Sequence, residues 1–282
     1  MKKSLVMKLF SEPALEPGAA REQIQAISDF EGGLFRPERC DLGEPIREKF
    51  DPKNLSEPVR WLTAPGGGFA FRRTKPFRVH GFIENRRRMQ LWAREHKGAP
   101  TVPVVPKFPE PRFLSRWVVW LDWRLAKAKG PDFLEKFLVD MFLVSRAEYG
   151  LLTTEEDQEA KNYVVVDNGR SVSSQLVGVD PEHGIPGLYW CNALGSVLTE
   201  WLGAPLANVP GTVVSLKNGC TVLRFGDSPE ESRTPHVLSV QQQAIDLLGR
   251  EKFFDIREPK RKVMSPFLPR PLKTDLVSPE PG

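Results

Sequence analysis

Apolar and polar positions along this chain alternate with a period of two in some stretches and near 3.6 in others. Over residues 77–84, Phe77, Val79, Gly81 and Ile83 share one face, and Arg78, His80, Phe82 and Glu84 share the other. That pattern predicts a half-buried strand. Residues 69–73 predict the strand before it, and 116–123 (RWVVWLDW) a buried one. Pro131 opens a helix over 131–146, where Phe133, Leu134, Phe137, Leu138, Met141 and Val144 form a broad apolar stripe. Thr234 and Pro235 open another, with Val237, Val240, Ala244, Leu247 and Leu248 inward and Gly249 closing it. Shorter helices are expected over 19–27, through Trp61 and Leu62, and from Thr153-Thr154-Glu155-Glu156 to Asn162, which has capping-box spacing. Residues 149–152 read as strand. Two hairpins are predicted: 163–166 with 171–177, and 213–217 with 220–225. Asn218-Gly219 in the second suits two residues of positive φ in a type I′ turn. Residues 252–257 read as a last strand or packed coil.

Strand pairs separated by helices indicate an α+β fold: a mainly antiparallel sheet with hairpins, packed by several helices. The expected organisation is an N-terminal segment of uncertain order over 1–40 and one domain over 41–258. A disordered, basic, Pro-rich tail is expected over 259–282.

The most distinctive stretch is 183–203, HGIPGLYWCNALGSVLTEWLG. Asn192 is placed to cap a helix whose apolar face is Leu194, Val197, Leu198, Trp201 and Leu202, with Gly203 as its left-handed end. Tyr189, Trp190 and Trp201 then pack between the Asn218-Gly219 hairpin and the helix from Thr234. The stretch reads as scaffold, with Gly187, Tyr189, Trp190, Asn192, Gly195, Trp201 and Gly203 as its structural residues.

Composition narrows the class. The 282 residues carry 40% hydrophobic and 27% charged side chains, with seven Trp and seventeen Phe, which is ordinary for a globular protein with a real core. The net charge of +4 is mostly the tail's; the remainder is close to neutral. Three cysteines, Cys40, Cys191 and Cys220, lack paired spacing and suit reduced thiols in the cytoplasm. Lys8 interrupts the N-terminal apolar run, and no stretch is long enough to span a membrane.

Reactive chemistry is not visible. His80, His96, His183 and His236 lie far apart and show no metal-ligand spacing, and there is no G-x-S-x-G elbow. Gly66-Gly67-Gly68 runs from helix to strand, the reverse of a phosphate loop, and reads as a turn. Glu155, Glu156, Asp157 and Glu159 read as the solvated acidic face of one short helix. The expectation is a non-enzymatic protein without cofactor or metal. One charge asymmetry stands out: residues 72–97 carry a balance of +7 with Phe77, Phe82 and Trp92 interleaved. Arg78, Phe82, Arg86, Arg87, Arg88 and Trp92 are therefore the candidate partner-binding residues. Such a stretch suits an acidic protein surface or, as the alternative and together with the basic tail over 259–282, nucleic acid. The acidic helix of the same chain is a third possible cover for it.

The motif Gly187, Leu188, Trp190, Asn192 and Gly195, followed by the Asn218-Gly219 hairpin and the last helix, resembles bacterial polymorphic-toxin immunity proteins. Within these it is most similar to the immunity protein 52 family. The resemblance implies a cytoplasmic, non-enzymatic protein that neutralises a cognate protein toxin by stoichiometric binding. It transfers no binding residues, because such surfaces are tailored to individual toxins.

Overall fold

The computed structural model describes residues 4–11, 15–86, 114–167, 172–258 and 261–267. Twelve strands and seven helices are seen among them. The first strand, β1 (Ser4–Ser11), is followed by α1 (Pro17–Gly33), which breaks at Phe30. Then come β2 (Arg39–Asp41), β3 (Glu48–Lys49), α2 (Ser56–Thr63), β4 (Gly68–Arg73) and β5 (Val79–Glu84). The middle of the chain supplies β6 (Ser115–Asp122), α3 (Trp123–Lys129), α4 (Pro131–Ser145), β7 (Ala147–Thr154) and α5 (Glu155–Asn162). A separate ribbon, β8 (Tyr163–Asp167) with β9 (Val172–Leu176), precedes β10 (Cys191–Leu194) and α6 (Ser196–Leu202). The last elements are β11 (Thr212–Ser215), β12 (Thr221–Arg224) and α7 (Pro235–Leu248).

Ten strands form one antiparallel sheet in the order β11-β12-β10-β7-β1-β6-β5-β4-β2-β3. The fold is α+β. Because side chains alternate across a sheet, the buried residues divide into two cores, one on each face. Leu5, Met7, Leu9, Trp117, Val119, Phe71, Val79 and Ile83 point to the side covered by α1, α2 and α4. Phe10, Tyr149, Leu151, Leu194 and Leu223 point to the other side, where they meet Leu198 of α6 and Val237, Ala244 and Leu248 of α7. Gly81 is needed where β5 crosses β6, because a Cβ there would lie 2.5 Å from the Val118 carbonyl oxygen.

Several expectations are corrected. The segment 1–40 holds β1 in the middle of the sheet, buried from Leu5 to Ser11. A strand buried on both faces shows no alternation, so LVMKLF gave no strand signal. Asn192 does not cap a helix: it lies inside β10, and α6 starts at Ser196 after Gly195. Leu247 faces solvent while Gln241 is buried on the inner face of α7. Of the two readings of 252–257, the packed coil holds and the strand does not: beyond one parallel bridge, Ile185 to Phe253, the segment is irregular, with Phe253 buried in the second core. Residues 261–267, placed in a disordered tail by their composition, pack on the body. Arg261 donates to the carbonyls of Arg250 and Phe253, Ser265 to that of Pro181, and Phe267 is buried in the second core.

Other expectations stand. Thr154 and Thr234 cap α5 and α7 through their side-chain oxygens. Asn218 and Gly219 both adopt positive φ, 71° and 73°, but the β11–β12 loop holds three residues, Lys217–Gly219, closed by the Leu216 N–H donating to the Cys220 carbonyl, and not the two of a type I′ turn.

Candidate binding face on the open half of the sheet

The second face of the sheet is covered unevenly. Over β7, β10 and β12 it carries α6 and α7, but over β4, β5 and β6 no described helix packs on it. That open half presents the polar side of the alternation read from residues 77–84. His80 and Trp120 are cross-strand partners and stack face to face, with ring centroids 4.8 Å apart and planes 4° apart. Phe82 tilts against the same indole at 5.8 Å, and the Arg116 guanidinium lies 5.5 Å over the Phe82 ring. Aromatic pairs of this kind are worth roughly 0.5–1.5 kcal/mol beyond their buried area.

The His80–Trp120 stack forms a ridge between two clefts. The larger, about 770 Å³, is lined by Ser4, Thr74, Arg78, Trp123 and Arg124 beside the ridge. The smaller, about 370 Å³, has Leu42, Glu44, Ala70 and Phe82 on its other walls. Desolvation against the sheet holds the His80 imidazole below its ordinary pKa, and Arg78 adds to this against the pull of Glu44 and Glu155. The ring on the ridge is therefore neutral at pH 7.

Of the candidate partner-binding residues, Arg78 and Phe82 reach this face. Arg86 is corrected: it turns inward and pairs with Asp180 at 3.1 Å and with the buried Glu182 at 3.7 Å. Arg87, Arg88 and Trp92 lie outside the described residues. Nor do the acids of the acidic helix pair with the described part of the basic stretch. In α5, Glu155 accepts from Ser4, Glu156 pairs with Arg233, and Asp157 is fully buried. His80 and Trp120 were the members of the face that sequence reasoning missed. The alternation of 77–84 put His80 beside Phe82, but the register that stacks it on Trp120 joins residues forty positions apart.

Lys8 of β1 borders the open half. Burial, reinforced by Arg116 and opposed by Asp180, lowers its pKa from 10.5 to about 8. A depressed lysine contributes stability above its unfolded pKa, and that contribution is lost as pH falls through the folded value. Relative to Lys8→Met, the native protein should therefore gain about 3 kcal/mol of stability between pH 8 and 10.5. Denaturant titrations of both proteins across that range test this, and a pH-independent difference would refute it. Taking the difference cancels the buried thiols and phenols that titrate in the same range.

The residues of the 183–203 motif are gathered in the interior. Asn192 closes a ring on its own chain: its Oδ1 accepts from the Tyr189 N–H at 3.0 Å, and its Nδ2 donates to the Tyr189 carbonyl at 2.9 Å. Trp190, fully buried in the first core, donates to the Gly226 carbonyl. Tyr189 points into the second core and donates to Asn162. Gly187 takes φ 144°, and its carbonyl accepts from the buried Tyr149 hydroxyl at 3.0 Å. A Cβ on Gly195 would meet the Glu148 Cα at 2.7 Å, while the Glu148 carboxylate caps α6 by accepting from the Val197 N–H. Gly203 ends α6 with φ 71°, and Trp201 is half-buried with Lys252 5.1 Å over its ring.

Behind Tyr189 lies a buried ion pair that the sequence did not disclose. The Lys161 ammonium meets the Asp157 carboxylate at 2.8 Å, the Leu188 carbonyl at 2.7 Å and Gln241 Oε1 at 2.9 Å. Burial raises the Asp157 pKa and lowers that of Lys161, each partner opposing the shift of the other. All three ammonium protons are used within the protein, so the pair is structural.

Among the described residues no helix is long and apolar enough to cross a membrane, and no three His, Cys, Asp or Glu side chains converge as metal ligands would. No protein-family model matches the chain, and no curated protein matches it. Among solved structures, the fold is similar to that of the Pseudomonas aeruginosa T6SS protein PA0821. The TM-score is 0.53 and the identity 13%, over 88% of this chain and 74% of that one.

Proposed function

We propose that this protein acts by binding another protein, as a cytoplasmic, non-enzymatic immunity protein that neutralises a bacterial toxin by occluding its surface. The observation that carries this reading is the open half of the sheet. There a rigid antiparallel scaffold holds Arg78, His80, Phe82 and Trp120 in fixed geometry between two clefts. Partly buried aromatic and arginine anchors on a preorganised surface are the usual energetic centre of a protein interface. The shared fold with a protein named as a T6SS protein is compatible with a toxin-associated role, and so is the 187–195 motif.

Co-expression with toxins encoded beside this gene should restore growth and yield a complex that co-purifies. Rescue is expected to saturate near one protein per toxin, as occlusion requires and turnover does not. Trp120→Ala, at a partly buried position on the face, should weaken the complex by about 2–4 kcal/mol. Absence of rescue together with absence of any co-purifying toxin would remove the reading.

A further inference from the structure

The charges around the larger cleft are unequal in availability. Asp122 accepts from Arg124 through both oxygens, with its closest contact at 2.6 Å, and also from the backbone N–H groups of Arg124 and Arg78. Those bonds hold its carboxyl well down, near pKa 2. Glu84, on the smaller cleft, is matched by Arg116, whose Nε and Nη2 both donate to its Oε2, at 3.1 and 2.8 Å. Asp122 and Glu84 thus have their cations already, while Glu155 is held by Ser4 at the cleft wall and Glu44 stands beyond the ridge in the smaller cleft. Arg78, exposed at the mouth of the cleft, makes no ion pair among the described residues. Beside it stand the flat His80–Trp120 stack and Trp123.

A guanidinium with its fork open, next to an uncharged aromatic floor, is complementary to one carboxylate adjoining an apolar or aromatic group. A nucleic-acid strand fits the same surface less well. Its phosphates recur at short intervals, and several must be neutralised together for useful affinity. Here the neighbouring cations Arg116 and Arg124 are committed to carboxylates that a phosphate would have to approach. We propose that the cleft receives an acidic segment of a protein partner, its carboxylate on Arg78 and an adjacent aromatic side chain against Trp120 and His80. This rests on reading the open half of the sheet as the binding face.

The test uses the full chain and three fluorescent probes read by anisotropy. They are a twelve-residue peptide alternating Asp and Glu with Phe and Gly, its lysine counterpart, and a twelve-nucleotide oligothymidine. The acidic peptide should bind and the lysine peptide should not. Arg78→Glu and Trp120→Ala should each weaken the acidic peptide about tenfold or more, and added salt should weaken it moderately. Arg78→Lys should fall between, since it keeps the charge and loses the fork. Circular dichroism confirms that each variant is folded. Equal binding of the two peptides, no binding of the acidic one, or preference for oligothymidine overturns the proposal.

The co-expressed toxin complex separates this inference from the reading beneath it. If Trp120→Ala breaks that complex while Arg78→Glu and salt leave it intact, the face stands and the acidic segment falls. If neither variant matters, both fall.

Discussion

Replacing Trp190 by alanine is expected to lower the free energy of unfolding by about 3–5 kcal/mol, the usual cost of emptying a large aromatic site in a core. The indole is completely buried, in the same core as Trp117 and the α4 residues Leu134 and Phe137. It precedes β10, whose side chains lie between β7 and β12, so no flexible edge is available to collapse into the space. The indole N–H also donates to the Gly226 carbonyl, anchoring the turn that leaves β12. Guanidinium titration should show a lower midpoint with a nearly unchanged slope. A loss below about 1 kcal/mol would mean that the site refills, and the motif would then not be the keystone described here.

Lys161→Met should cost a similar amount, about 3–5 kcal/mol, for a different reason. It strands the Asp157 carboxylate in the interior without its cation, and an unpaired buried charge is far more expensive than a missing pair. Thr153 would remain its side-chain donor, at 2.8 Å. Burial already raises the Asp157 pKa with the lysine present, and losing the lysine raises it further. A raised carboxyl contributes stability below its unfolded pKa, and that stability is lost as pH rises through the folded value. The deficit of Lys161→Met should accordingly be larger at neutral pH than near pH 5. Adding Asp157→Asn should recover a substantial part of it, giving a coupling energy well above the spread of independent sites. If the double variant were no more stable than the single one, the charge account would be wrong.

The two predictions act on opposite sides of one short segment. Tyr189 and Trp190 are consecutive, so one enters each core, and the Asn192 ring fixes the backbone that sends them apart. This explains why 183–203 was conspicuous in sequence and yet misread in detail. A continuous buried run such as Cys191–Leu194 has no strand alternation, and its apolar residues merge with the helical spacing of α6. What the chain made legible was local. The Asn218-Gly219 turn, the threonine caps and the proline-opened helices each need only neighbours in sequence.

What stayed hidden depends on pairing at a distance. The Asp157–Lys161 spacing is the same as that of an exposed helical ion pair, and it is the arrival of Leu188, Tyr189 and Gln241 from distant segments that buries it. The binding face was half legible. Arg78 and Phe82 followed from the alternation of one strand, whereas Arg86 belonged to the same basic run and turned inward once the strand had ended. Charge density along the sequence does not say which residues share a face; the register of β5 with β6 does.

The position of β1 has a consequence for how the protein is made. It is flanked by β6 on one side and β7 on the other, and the nearer of these begins only at Ser115. At ribosomal rates a strand whose side chains are almost all destined for the interior waits about 5–20 s for its first neighbour, and longer for its second. During that interval its hydrogen-bonding edges and apolar side chains are open to other nascent chains. Folding of the centre is therefore paced by translation and by long-range pairing. For a protein whose proposed task is to neutralise, that lag sets how far ahead of its target it has to be synthesised.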